Sequence, residues 1–160
     1  MSEVPIKVPY VNFLAQYEQE KAEIHNCVQR VFSRGDFVGG GSIAELEKGL
    51  AEYCGVEHVV AVNSGTDALI LALQALGIGP GDEVITPPNS FVASTAAIVQ
   101  VGATPVFVDV LPDQNIDPEA VEDAITSRTR AVMAVHLTGR LAQVDRLLEI
   151  IKKYDLVLLE

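Results

Sequence analysis

The sequence predicts an α/β domain: a mostly parallel sheet covered by helices on both faces. Short apolar, β-branched runs alternate with stretches of helical period from residue 59 to Glu160, and parallel neighbours need the crossover connections that such helices supply. Composition agrees, because 49% hydrophobic and 21% charged residues in a chain of 160 is the balance of a sequence that builds a core.

Residues 1–11 contain Pro5 and Pro9 and no period, and read as an extended arm. From Asn12, the residues Leu14, Tyr17, Ile24, Val28 and Val31 recur at helical spacing until Gly35, which predicts a long amphipathic helix. Ser42, with Glu45 three residues on, forms a capping box for a second helix that packs Leu46 and Leu50 and ends at Gly55. The run over 59–62 predicts the central strand, followed by the tight turn Asn63-Ser64-Gly65-Thr66 and a helix with its apolar stripe at Leu69, Ile70, Leu73 and Leu76. The same grammar then repeats. It predicts strands over 83–86, 105–110, 131–135 and 156–159, and helices over 90–101, from Asp117-Pro118 through Ile125, and over 143–153.

Acidic side chains outnumber basic ones 22 to 11, for a net charge of -11, which disfavours nucleic acid and anionic membrane surfaces as partners. No stretch approaches the roughly twenty apolar residues that span a bilayer, and Met1-Ser2-Glu3 begins no basic leader, so a cytoplasmic protein is expected. Cys27 and Cys54 lie in separate predicted helices. They suggest neither a disulfide framework nor a metal site, and read as reduced, buried small hydrophobes. Gly39-Gly40-Gly41-Ser42-Ile43-Ala44 fits a dinucleotide-binding fingerprint, but a helix precedes it where that fingerprint needs a strand, so it reads as a flexible or closely approached loop.

Ligands of such sheets gather beyond the carboxyl ends of the strands. That edge should carry 63–66, 87–91, Asp109, 136–139 and Glu160. The N–H groups at the helix start make Gly65 and Thr66 a candidate phosphate cradle, with the Thr66 hydroxyl as a further donor. Each candidate has a plainer alternative: Ser64 and Thr66 as ordinary helix caps, Phe91 as core, Asp109 as a loop cap, His136 as hydrogen-bonded scaffold. Spacing alone stops at an α/β domain with a phosphorylated-ligand site.

Longer motifs add a resemblance. Asn63-Ser64-Gly65-Thr66-Asp67-Ala68-Leu69, Gly77-Ile78-Gly79-Pro80-Gly81-Asp82-Glu83-Val84-Ile85, the stretch from Gly102 to Asp109, Thr129-Arg130-Ala131 and Val135-His136-Leu137-x-Gly139 resemble, in order and spacing, the DegT/DnrJ/StrS family of pyridoxal-phosphate sugar aminotransferases. The resemblance runs from about Val8 to Glu160. It implies the large domain of a fold-type-I pyridoxal-phosphate transferase, incomplete here, with residues 1–35 as arm and helix, 36–160 as the first part of the cofactor domain, and the small C-terminal domain absent. It also implies that Gly65 and Thr66 hold the cofactor phosphate, that Phe91 stacks on the pyridine ring and that the loop from His136 to Gly139 lies beneath it. Thr138 stands where the family often has an aromatic residue.

The family's pyridinium Asp and Schiff-base Lys fall beyond Glu160, and Lys7, Lys21, Lys48, Lys152 and Lys153 occupy the arm and predicted helices, so no catalytic residue is assigned within the chain. The implied reaction moves an amino group, from glutamate, to the keto carbon of a nucleotide-linked sugar in a homodimer. The alternatives are a sugar dehydratase of the same fold, in which histidine replaces the lysine, and a non-catalytic fragment that binds only phosphate.

Overall fold

The computed structural model describes residues 8–160, so residues 1–7 of the predicted arm lie outside it. The chain forms two compact units, Met1–Ala61 and Val62–Glu160.

The first unit holds α1 (Phe13–Arg34) and α2 (Gly41–Cys54). Asn12 caps α1 by accepting the Ala15 N–H at 3.2 Å, and Gly35 ends it in a left-handed conformation, φ 73°, its own N–H turned back to the carbonyls of Val31 and Phe32. Both ends match the sequence reading. The capping box at Ser42 does not form. Gly40 is the N-cap of α2, with φ 90° and ψ 179° and no side-chain bond, which leaves Ser42 inside the first turn. A residue with a Cβ avoids that backbone, and a Cβ at Gly40 would lie 3.1 Å from the Asp36 Cβ, so glycine sets where the helix starts. Neither helix has a buried residue. Leu46 and Leu50 are exposed rather than packed, and Cys27 and Cys54 are free and exposed rather than buried.

The second unit runs α3 (Gly65–Ala75), β1 (Glu83–Thr86), α4 (Val92–Gln100), β2 (Thr104–Phe107), α5 (Pro118–Asp123), β3 (Thr129–Met133), α6 (Val144–Tyr154) and β4 (Val157–Leu159). The strands form one parallel sheet in the order β2-β1-β3-β4. Side chains alternate across it. Val84, Ala131 and Met133 join Leu73, Ile78, Ala97 and Ile98 under α3 and α4, while Ile85 and Val132 join Val121, Leu147 and Ile150 under α5 and α6. Helices therefore cover both faces, as the sequence predicts.

The expected fifth strand is missing. Residues 59–62 are irregular and Val60 is 78% exposed, because a strand exists only by pairing and no ladder among the described residues accepts this run. The strand expected over 105–110 starts one residue earlier and stops at Phe107; Val110 instead forms an isolated antiparallel bridge with Ile116. Within the stripe of α3, Leu73 is fully buried but Leu76 is 44% exposed.

The amino edge of the sheet is pinned by ion pairs. Buried Glu83 accepts the Thr126 hydroxyl at 2.5 Å and the Arg128 Nε at 2.9 Å, with a further bond from the guanidinium, while Asp82 accepts the Gly79 N–H and the Arg130 Nε at 3.0 and 3.1 Å. The Thr126 hydroxyl, then Arg128, holds the Glu83 carboxyl below its ordinary value near 4.5. A carboxylate depressed in the folded state contributes stability above its unfolded value and loses it as pH falls through the folded one. Glu83→Gln is therefore expected to be less stable than the native protein near neutrality, and the difference should shrink as the pH drops below about 4.5. Urea unfolding at neutral and acid pH measures this, and a gap that stays constant with pH contradicts it.

Candidate functional site

The connections from β1 and β3 diverge: β1 leads through α4 outward to β2, and β3 leads through α6 outward to β4 on the other side. Right-handed crossovers put helices on opposite faces when the winding direction reverses, which is the observed division of α3 and α4 from α5 and α6. Such a reversal opens a crevice beyond the carboxyl ends of the two central strands. Phe91 follows one of these strands and His136 the other.

Helix α3 precedes β1 and packs beside α4 on the same face of the sheet. Its C-terminal end turns tightly into β1, with Ile78 donating to the Leu73 carbonyl at 3.0 Å and Gly79 to the Asp82 carboxylate at 3.0 Å. An 11-residue helix is about 16 Å long and a four-residue strand about 13 Å, so α3 is long enough to return the length of the sheet and bring its head to the carboxyl edge. Ser64 is the N-cap, its Oγ accepting the Asp67 N–H at 3.1 Å and donating to the Asp67 carboxylate at 2.9 Å. The cap satisfies the third N–H of the helix. The N–H groups of Gly65 and Thr66 take no partner among the described residues, both residues are exposed, and a Cβ built at Gly65 meets nothing within 4 Å. The cap thus leaves two donors open beside it, with Asp67 the one negative charge in that turn.

Phe91 is not core. It is the N-cap of α4, without a side-chain cap bond, and 73% exposed. The same stretch of chain holds two polar atoms that sequence reasoning missed: the Thr86 Oγ1 and the Asn89 Oδ1, both buried and without a hydrogen-bond partner among the described residues. Thr86 shares the face of Val84 by alternation and so belongs to the α3 side of the sheet. No pattern marks Thr86, since any β-branched residue suits that strand position.

His136 has both ring nitrogens engaged. The Ala142 N–H donates to Nδ1 at 3.1 Å, which assigns the proton to Nε2, and Nε2 lies 3.0 Å from Glu160 Oε1. Gly139, at φ 78°, donates to the His136 carbonyl at 3.0 Å and closes the turn. Below it Asn115, 1% exposed, donates its amide to the Leu141 carbonyl and to Asp113, tying the loop after β2 to the loop after β3. The Asn115 backbone N–H, then its side chain, lowers the Asp113 carboxyl below its ordinary range. Asp113-Gln114-Asn115 is a recognisable Asx-turn spacing, so this brace had a local signal. Asp109 has the plainer of its alternatives: it is exposed, accepts the Val110 N–H at 2.8 Å, and braces its own loop. A concavity of 430 Å³ opens at the head of α6, lined by residues 141–146, and includes none of Gly65, Thr66, Phe91 or His136.

Residues 18–160 match the model of the DegT/DnrJ/EryC1/StrS aminotransferase family. The chain belongs to this family. Among relatives of the DegT/DnrJ/EryC1/StrS group, it is 44% identical over 155 residues to the dTDP-3-amino-3,4,6-trideoxy-alpha-D-glucose transaminase of Streptomyces venezuelae, covering 96% of this chain and 41% of that protein. It is 48% identical over 122 residues to the GDP-perosamine synthase of Caulobacter vibrioides, covering 76% of this chain and 33% of that one. The crystal structure of S. venezuelae DesV in complex with a ketimine intermediate superposes with a TM-score of 0.92 at 45% identity, over 94% of this chain and 41% of the other. The Bacillus subtilis NtdA structure with bound cofactor PMP gives 0.90 at 36% identity, over 99% and 37%. The chain spans about two-fifths of the length of the curated relatives it matches. In this DegT/DnrJ/EryC1/StrS member the cap at Ser64 is a folding element separate from the free donors beside it, so Ser64→Ala should lower stability by about 1 kcal/mol. Denaturant unfolding checks the figure, and an unchanged midpoint would show the cap to be idle.

Proposed function

We propose that this chain is the cofactor-holding part of a pyridoxal-phosphate aminotransferase that moves an amino group, from glutamate, onto the keto carbon of a nucleotide-linked sugar. The observation that carries the proposal is the pair of free N–H groups at Gly65 and Thr66, on the sheet edge that also bears Phe91 and His136. Family membership and relatives named for dTDP- and GDP-linked sugar products support the substrate class.

The residues present fit the cofactor. Gly65 and Thr66 offer two backbone donors and a hydroxyl at a helix head, where a dianionic phosphate is well held. Phe91 stands exposed beyond the central strand, an available face for a flat heterocycle. The loop closed by Gly139, which the family resemblance puts beneath the ring, is held by His136 and Asn115. The unpartnered Thr86 and Asn89 oxygens supply polar atoms at the same strand end. When bound, the cofactor supplies the electron sink for the substrate carbon. The protein's own share is to anchor the phosphate, align the ring and keep the loop in register. Asp67 stays turned into its bond with Ser64, which directs its charge into the cap.

Thr66→Val removes a donor to a charged acceptor, and is expected to weaken pyridoxal phosphate binding by about 1.5–3 kcal/mol with the fold intact. Titration of the full-length protein followed by absorbance measures it, and an unchanged affinity removes Thr66 from the site. The proposal includes a cytoplasmic homodimer, on the family resemblance and the frequency of two-fold assemblies. Sedimentation of the full-length enzyme should show a dimer, and a fully active monomer would refute this part.

A further inference from the structure

We propose that Glu160 is a positioning residue, acting through His136 to hold the loop of residues 136–142 in place beneath the ligand. The inference rests on the cofactor reading above. β3 and β4 pair in register through Met133 and Leu159, and the Ala134 N–H adds a last bond to the Leu159 carbonyl at 2.8 Å. Beyond that bond the ladder ends. Glu160 is the next residue on one strand and His136 lies two past Ala134 on the other, so the imidazole continues the connection between the strands by its Nε2–H donated to Glu160 at 3.0 Å.

The ring also works along the chain. Its Nδ1 accepts from Ala142, a core residue at the return of the loop, while the His136 carbonyl accepts from Gly139 at its tip. The side chain thereby fixes two points, the end of β4 and the start of the path into α6, and the residue's own carbonyl fixes a third, the tip of the turn. With Nδ1 occupied as an acceptor, the proton sits on Nε2. Glu160 is the acceptor that holds the ring at that angle, with the carboxylate 46% and the ring 23% exposed, so the bond is partly shielded from water. The His136 ring is then committed to its neighbours on both nitrogens. Its contribution to ligand binding is the placement of the loop.

The test uses the full-length protein with nitrogen-labelled histidine, comparing the native form with Glu160→Gln, which keeps an acceptor oxygen, and Glu160→Ala, which removes it. The native ring should show a single Nε2–H form with an observable proton, slowed in exchange by its bond. Glu160→Gln should keep that proton signal and bind pyridoxal phosphate within about threefold of native, whereas Glu160→Ala should lose the signal and bind on the order of tenfold more weakly, the loss of one hydrogen bond of about 1.4 kcal/mol. A native ring protonated on Nδ1, a Glu160→Ala protein that keeps the Nε2–H signal, or one that loses it with native affinity overturns the proposal. The native-ring spectrum needs no variant, so the first of these outcomes stands even if an exchange impairs folding. Failure of the native protein to bind pyridoxal phosphate would sink the cofactor reading instead, and the ring spectra would still decide whether Glu160 holds His136.

Discussion

Parallel pairing of β1 with both β2 and β3 is the constraint on which the rest of the second unit depends. A central parallel strand cannot be joined to its neighbours by hairpins, so each link must climb back over the sheet through a helix. Because such links are right-handed as a rule, going outward to β2 and then back across to β3 puts α4 and α5 on opposite faces, as they are here. The two cores follow from that, as does the divergence of the loops after β1 and β3. A place for a ligand is thus a by-product of topology, and the residues that use it need only sit at the strand ends.

The head of α3 shows how capping leaves room for a ligand at one helix end. An α-helix starts with several N–H groups that no turn of its own can satisfy. Ser64 takes the third of these through its hydroxyl, which secures the first turn and aims the chain, and the first two remain available. Structural and functional readings of Asn63-Ser64-Gly65-Thr66 compete only when the turn is treated as a unit. Counted donor by donor, they divide the turn between them.

How much of this was legible in the sequence depended on the range of the interaction. Gly35, Ser64 and Asp117-Pro118 act within a few residues, and each marks a helix end where the structure has one. The run over 59–62 has the composition of a strand, but strand formation needs a partner elsewhere in the fold, and composition carries no information about whether one is in place. Ser42 failed for a nearer reason: the glycine two residues before it took the capping position through a backbone geometry that a Ser-x-x-Glu pattern does not encode. The burial of Cys27 and Cys54 was inferred from a residue average and overturned by helices with no buried side chain. Phe91 and His136 follow strands that the sequence marked, so their place at the carboxyl edge was legible, whereas that of Gly65 and Thr66 was inferred from a strand over 59–62 that the structure lacks. The bond between His136 and Glu160 spans 24 residues and was not legible.

The two edges of the sheet are treated unequally, and the difference is physically informative. At the amino edge, Glu83 and Asp82 have their carboxylates matched by Arg128, Arg130, Thr126 and a backbone N–H. At the carboxyl edge, two backbone donors, the Thr86 hydroxyl and the Asn89 carbonyl oxygen go unmatched among the described residues, and an aromatic ring stands in water. The two side-chain oxygens are buried, and unsatisfied buried polar atoms each cost about 1–3 kcal/mol, so a fold with no use for them would gain by replacing them with apolar groups of the same shape, whereas the exposed N–H groups of Gly65 and Thr66 carry no such cost. Keeping the two oxygens is reasonable where a ligand supplies the missing partners, since whatever binds only the folded state returns that cost as added stability in proportion to its occupancy. The amino edge matches its carboxylates from within the chain, and the carboxyl edge leaves polar atoms open, as the proposed cofactor site requires.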